Sequence, residues 1–170
     1  IGDRLAAGED TAYITTGDDK DVFVVGVKFL EKVSKEINDL RNKWAFEYDK
    51  HSVERVRLER EESEPVVCSK AEQLWWITQP LSDRADTERI KEILDELKNL
   101  EIAKEDFVSD SKEDIINYGL DKPVFTISIG TTDNVQTLLL GHSLDEMIYA
   151  KLEGESSIFL VHDMILRNLD

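Results

Sequence analysis

Short apolar runs and alternating apolar and polar positions dominate this chain, and a helical spacing interrupts them at only a few places. Residues 11–16 and 21–25 are rich in β-branched and aromatic side chains. Gly17-Asp18-Asp19 separates them, which predicts a β-hairpin. Val27, Leu30, Val33, Ile37 and Leu40 then recur at helical spacing, predicting a helix over residues 27–40. Trp44, Phe46 and Tyr48 alternate and predict a strand on one face; Val53, Val56 and Leu58 lie in a second alternating run. Residues 66–69 and 74–78 read as further strands, the latter closed by Pro80.

The clearest helix follows. Asp86 stands where a side-chain carboxylate accepts the free N–H groups of a first turn, and Ile90, Ile93, Leu94, Leu97 and Leu100 form one stripe. Residues 111–118 predict a short helix stopped at Gly119. Strands are expected at 124–129, 137–140, 147–152 and 158–161, with a last helical turn or two over 163–169. Strands outnumber helices and neighbours are hairpin-linked. The expected class is therefore α+β: mainly antiparallel sheet, with a few amphipathic helices packed on one face.

The two ends of the chain resemble each other. Ala12-Tyr13-Ile14, Val22–Val25 and Phe29-Leu30 match Ile148-Tyr149-Ala150, Ile158–Val161 and Ile165-Leu166 at a constant separation, that of Tyr13 from Tyr149. Upstream, Ile1-Gly2 matches Leu140-Gly141 after a small change in loop length. Two samples of one unit are implied. Residues 1–40 are read as the C-terminal part of a preceding repeat, and residues 41–170 as a nearly complete second one. The first residue is Ile1, without a signal-peptide pattern, so a piece of a longer repeated protein is expected.

One ordered set of motifs is distinctive. Trp76 and Pro80 are followed by Ala85-Asp86, a helix, Tyr118-Gly119-Leu120 with Pro123, Leu140-Gly141 and Tyr149-Ala150-Lys151. In this order they resemble the bacterial domain of unknown function 4340 family, over residues 40–170. The resemblance implies membrane-anchored extracytoplasmic (periplasmic-side) proteins carrying such units in tandem, associated with ABC-type transport systems of the gliding-motility kind. The family supplies no catalytic residues to carry over, and its membrane anchor is not among these residues.

Charge narrows the partners. Against 21 Lys and Arg stand 37 Asp and Glu, a net charge of -16. Such a surface repels nucleic-acid phosphates and anionic lipid head groups, so no nucleic-acid partner is expected. No apolar run approaches the roughly 20 residues of a membrane-spanning helix. Cys68 is the single cysteine and sits in an apolar stretch after Pro65, where a buried, inert thiol is expected.

Candidate chemistry is sparse. His51, His142 and His162 show no metal-ligand spacing, and no nucleophile elbow, phosphate-binding glycine loop or zinc-protease motif occurs. No metal, cofactor or catalytic set is assigned. Asp18, Asp19 and Asp21 read as a solvated hairpin tip, Asp83 and Asp86 as helix-start carboxylates, and Glu59–Glu62 as a solvated strand end. Trp75 and Trp76 are the candidates for a partner surface. Adjacent residues in a strand face opposite ways, so one enters the core while the other is exposed or covered by another element. The expectation is a non-catalytic structural or protein-interaction domain, ABC transporter subunits being its implied partners. A small-molecule or glycan-binding module is the alternative, with a hydrolase assembled from scattered residues as a third reading.

Overall fold

Alternation of apolar and polar side chains decides which surfaces this chain hides, and the computed structural model, which describes residues 11–15 and 21–168, follows it closely. The chain divides into two units, Ile1–Arg41 and Asn42–Asp170.

In the first unit, β1 (Thr11–Thr15) and β2 (Val22–Gly26) pair antiparallel, with Tyr13 opposite Val24. The Gly17-Asp18-Asp19 tip lies outside the described residues. The helix expected over residues 27–40 is broken into α1 (Val27–Val33) and α2 (Ile37–Leu40). Local capping overrides the apolar period here. Ser34 donates its N–H to the Leu30 carbonyl, ending the first piece. Glu36 and Asp39 then form a reciprocal capping box that starts the second.

The second unit is built on a nine-stranded antiparallel sheet. Its strands are β3 (Arg55–Arg60), β4 (Val66–Ala71), β5 (Leu74–Gln79), β6 (Asp83–Arg84), β7 (Phe107–Ser109), β8 (Phe125–Gly130), β9 (Val135–Leu144), β10 (Met147–Leu152) and β11 (Ile158–His162). They lie in the order β6-β5-β4-β3-β8-β9-β10-β11-β7. The two short strands β6 and β7 have too few residues to show a period, which is why alternation alone does not reveal them.

Helix α3 (Thr87–Lys98) starts where expected: the Asp86 side chain accepts the Glu88 and Arg89 N–H groups at 2.9 and 3.2 Å. Ile90, Ile93, Leu94 and Leu97 are buried, and they join the inner face of the sheet in one core. In-register partners line that face. Phe125, Leu140, Ala150, Phe159 and Phe107 run side by side across five strands. A short α4 (Met164–Asn168) adds Ile165 to the same core.

Residues 44–48 do not form the expected strand. Only Trp44 makes a bridge, to Glu101, while Ala45 donates to the Leu100 carbonyl and Ile102 to that of Lys43. The segment lies along α3 instead of joining the sheet, so its aromatics do not share one fate. Phe46 is buried, Trp44 is exposed, and Tyr48 packs edge-on to Phe46 at 6.0 Å. The Tyr48 hydroxyl donates to the Leu94 carbonyl on α3. Burial, with the nearby Asp95 carboxylate adding to it, pushes that hydroxyl well above its ordinary value, partly offset by a backbone hydrogen bond from Lys98. Folding therefore keeps a proton that the unfolded chain loses near pH 10. Tyr48 stabilises fully below that pH, and its contribution declines as pH rises further. Melting curves between pH 8 and 11 check this: Tyr48→Phe costs about 1 kcal/mol at neutral pH and flattens the alkaline decline. An unchanged alkaline slope would count against it.

Candidate interaction face

Strand β5 carries both candidate tryptophans, and the pleat separates them. Trp75 points into the core at 4% exposure, against the layer that holds α3, whereas Trp76 lies on the opposite face at 40% exposure. Trp75 is therefore withdrawn from the expected partner surface: it is a core residue. Trp76 remains.

Register places particular neighbours beside Trp76. Arg84 on β6 and Ser69 on β4 pair with it, and Ser69 pairs in turn with Arg55 on β3. Cross-strand partners share a face, so Arg84, Trp76, Ser69 and Arg55 form one row on the outer surface. Arg55 continues the row to Gly130 on β8. Beside it, a groove of about 240 Å³ is lined by Arg55, Arg57, Ser128, Gly130 and Val135. Ser128 and Thr137 share a hydroxyl hydrogen bond at 3.0 Å on this face.

The arginines of this face differ in state. Arg57 makes two hydrogen bonds to Glu59 at 2.9 and 2.8 Å, which hold the Glu59 carboxyl below its ordinary value and the guanidinium above its own. Arg60 belongs to the opposite, inner face, where it pairs with Phe125 and lies over its ring, 5.4 Å from the centre. Arg55 and Arg84 make no ion pair among the described residues. In a chain of net charge -16, two such guanidinium groups flanking an exposed indole stand out. Sequence reading missed both arginines. Their polar positions were visible, but their alignment with Trp76 depends on strand partners far apart in the chain.

Other candidates resolve differently. A second groove, of about 420 Å³, lies between the end of α3 and α4 and is lined by Asp95, Glu96, Asn99, Glu101 and His162 among others. Asp95 pairs there with Lys50 at 2.6 Å and His162 Nδ1 accepts the Met164 N–H at 3.3 Å, while Glu96 Oε2 is buried without a hydrogen-bond partner among the described residues. His51 is exposed, and His142 packs its ring against Gly119. Asp83 accepts the Arg84 N–H and Asp86 caps α3, both local roles. Cys68 is buried, and that burial raises its thiol above the ordinary value, so little reactive thiolate forms. Among the described residues, no three His, Cys, Asp or Glu side chains gather as a metal site, and no helix is long and apolar enough to cross a membrane.

One further cluster ties the sequence motifs together. Gly119, at φ +71°, ends the 3₁₀ turn Lys112–Ile116. Its N–H bonds the Ile116 carbonyl, while Leu120 bonds that of Ile115, a paired helix-stop pattern. This turn lies directly on β9. His142 donates to the Tyr118 carbonyl at 2.8 Å, and Gly141 leaves space that a side chain would fill. The Tyr118 ring rests on Tyr149 at 4.5 Å.

The model of the family described as "Domain of unknown function (DUF4340)" matches this chain twice, over residues 1–104 and 75–170. The chain belongs to the DUF4340 family. Two overlapping matches are compatible with a partial repeat of the DUF4340 unit. No curated protein and no solved structure matches the chain. Several residues of the DUF4340 pattern have architectural roles: Asp86 caps α3, Ala85 is buried, and Tyr118, Gly119, Gly141 and Tyr149 lock the turn onto the sheet. Trp76 differs from these, being a pattern residue on the outer face.

Proposed function

We propose that this chain is a non-catalytic structural and protein-interaction domain, acting on the extracytoplasmic side of a bacterial membrane beside an ABC-type transport system of the gliding-motility kind. The observation that carries the interaction role is the outer row of Arg84, Trp76, Ser69 and Arg55. Tryptophan and arginine are the side chains that most often dominate binding energy at protein interfaces, and here they stand together on a rigid sheet. The setting and the transport partners are supported by the family resemblance. The architectural roles of several pattern residues add support for a scaffold over a reaction centre.

A small-molecule or glycan-binding module would use Trp76 as a wall of an enclosed pocket. Trp76 does not line the neighbouring groove, and its own surroundings are a sheet face, which favours a protein partner.

The test is co-purification of the natural protein from its own membranes, comparing the wild type with Trp76→Ala combined with Arg55→Glu. Recovery of permease or ATPase subunits with the wild type, falling at least about 30-fold with the variant, is expected. Recovery of the protein alone, or equal recovery by both forms, contradicts it.

A further inference from the structure

The hairpin at the start of the chain repeats the geometry of the one at its end. In the first, Thr11 pairs with Gly26, Ala12 with Val25, Tyr13 with Val24, Ile14 with Phe23 and Thr15 with Val22. In the second, Met147 pairs with His162, Ile148 with Val161, Tyr149 with Leu160, Ala150 with Phe159 and Lys151 with Ile158. The two ladders superpose position for position at the separation of Tyr13 from Tyr149, and a helix follows each. Even the core volumes correspond. Ile148 and Ala150 of one strand become Ala12 and Ile14 in the other, while Phe159 and Val161 have the counterparts Phe23 and Val25.

Their surroundings differ sharply. Strands β10 and β11 are flanked by β9 and β7 and join the core that contains α3. Among the described residues, strands β1 and β2 form a sheet of two. Phe159 is 2% exposed, but its counterpart Phe23 is 48% exposed; Ile158 is 0% exposed and Val22 59%. Phe29, the counterpart of buried Ile165, is also exposed. Val22, Phe23 and Val24 are consecutive, so they bare both faces of the strand. Near-continuous apolar runs belong to strands covered on both sides, and an open one invites pairing.

We propose that β1, β2 and α1 are the closing hairpin and helix of another sheet of this same fold. The occupant of their bare surfaces is a further DUF4340 unit lacking its own last hairpin. It supplies a strand like β7 beside β2 and a helix like α3 over Ile14 and Phe23. Phe107 shows what Phe23 lacks: it packs edge-on to Phe159 at 6.3 Å. Tyr118 is the corresponding missing partner of Tyr13. A second complete copy of this chain does not suffice, because its strand β7 is already paired with its own β11. This inference stands independently of the proposed transport role.

The test exchanges the hairpins within the full chain, replacing residues 147–170 by a duplicate of residues 11–34. A milder version replaces only residues 147–151 and 158–162 by 11–15 and 22–26. Hydrogen exchange reads the outcome. In the natural chain, β1 and β2 amides are expected to exchange about 100-fold faster than those of β10 and β11. In the exchanged chains, the transplanted strands gain that protection within a cooperatively melting unit. Loss of the cooperative transition in both exchanged chains, or transplanted strands that stay unprotected, overturns the proposal. So does a natural chain whose hairpins dimerise and are returned to monomer by Val24→Lys, since a second copy would then be the occupant.

Discussion

Replacing Trp75 by alanine lowers the stability of the second unit by about 3–5 kcal/mol, whereas the same change at Trp76 costs about 1 kcal/mol or less. The sequence neighbours differ because the pleat of β5 sends Trp75 into the core beneath α3 and Trp76 to the opposite surface. Truncating Trp75 empties a large volume in a close-packed layer, and the surrounding strands are held by ladders on both sides, so the cavity collapses only in part. A melting-temperature loss of roughly 10 °C or more follows for a protein of this size. Thermal denaturation of the two variants checks the contrast. Equal losses would mean that the register of β5 is wrong, and with it the outer row.

Gly141→Ala is the second large effect, at roughly 2–4 kcal/mol. A methyl group at Gly141 overlaps the carbonyl oxygen of Tyr118 and comes within 3.0 Å of the Gly119 carbonyl carbon. Both are backbone atoms, so no side chain can swing aside. The turn must lift from β9, straining the His142 to Tyr118 hydrogen bond and drawing the Tyr118 ring from Tyr149. Gly154 provides the comparison. Its φ of +87° strains any other residue, but nothing lies near its missing side chain. Gly154→Ala therefore costs about 1–2 kcal/mol, from backbone conformation alone. Chemical denaturation of both variants ranks the effects, and a smaller loss at Gly141 than at Gly154 would sink the interpretation.

Local signals in this sequence proved legible where one element satisfies its own needs. Asp86 could be assigned as the cap of α3, and Gly119 as a helix stop, because both act within a few residues of themselves. Strand β10 matches its sequence-derived limits because its turn signals and apolar run agree. The failures share the opposite cause. Residues 44–48 carry a strand's alternation, but they lie along a helix whose position depends on distant packing. The stripe over residues 27–40 is genuine, yet a capping box at Glu36 and Asp39 divides it.

The candidate face shows the same boundary. Adjacent tryptophans revealed that one must differ from the other, while only the sheet reveals which. Arg55 and Arg84 become neighbours of Trp76 through three strand pairings, one of them to a strand of two residues. No local pattern contains that information. Tyr118, Gly119 and Gly141, by contrast, could be picked out as motif residues, although their purpose is visible only where the turn meets β9.

Photo-crosslinking from single positions of the natural protein in its own membranes tests the central claim most directly. A photoreactive side chain at position 76 is compared with one at position 91, on the exposed side of α3. The interaction role predicts a discrete crosslinked product with a transport-system subunit from position 76 and none from position 91. No product from position 76, or the same products from both, would contradict the assignment of the Trp76 row as the docking face.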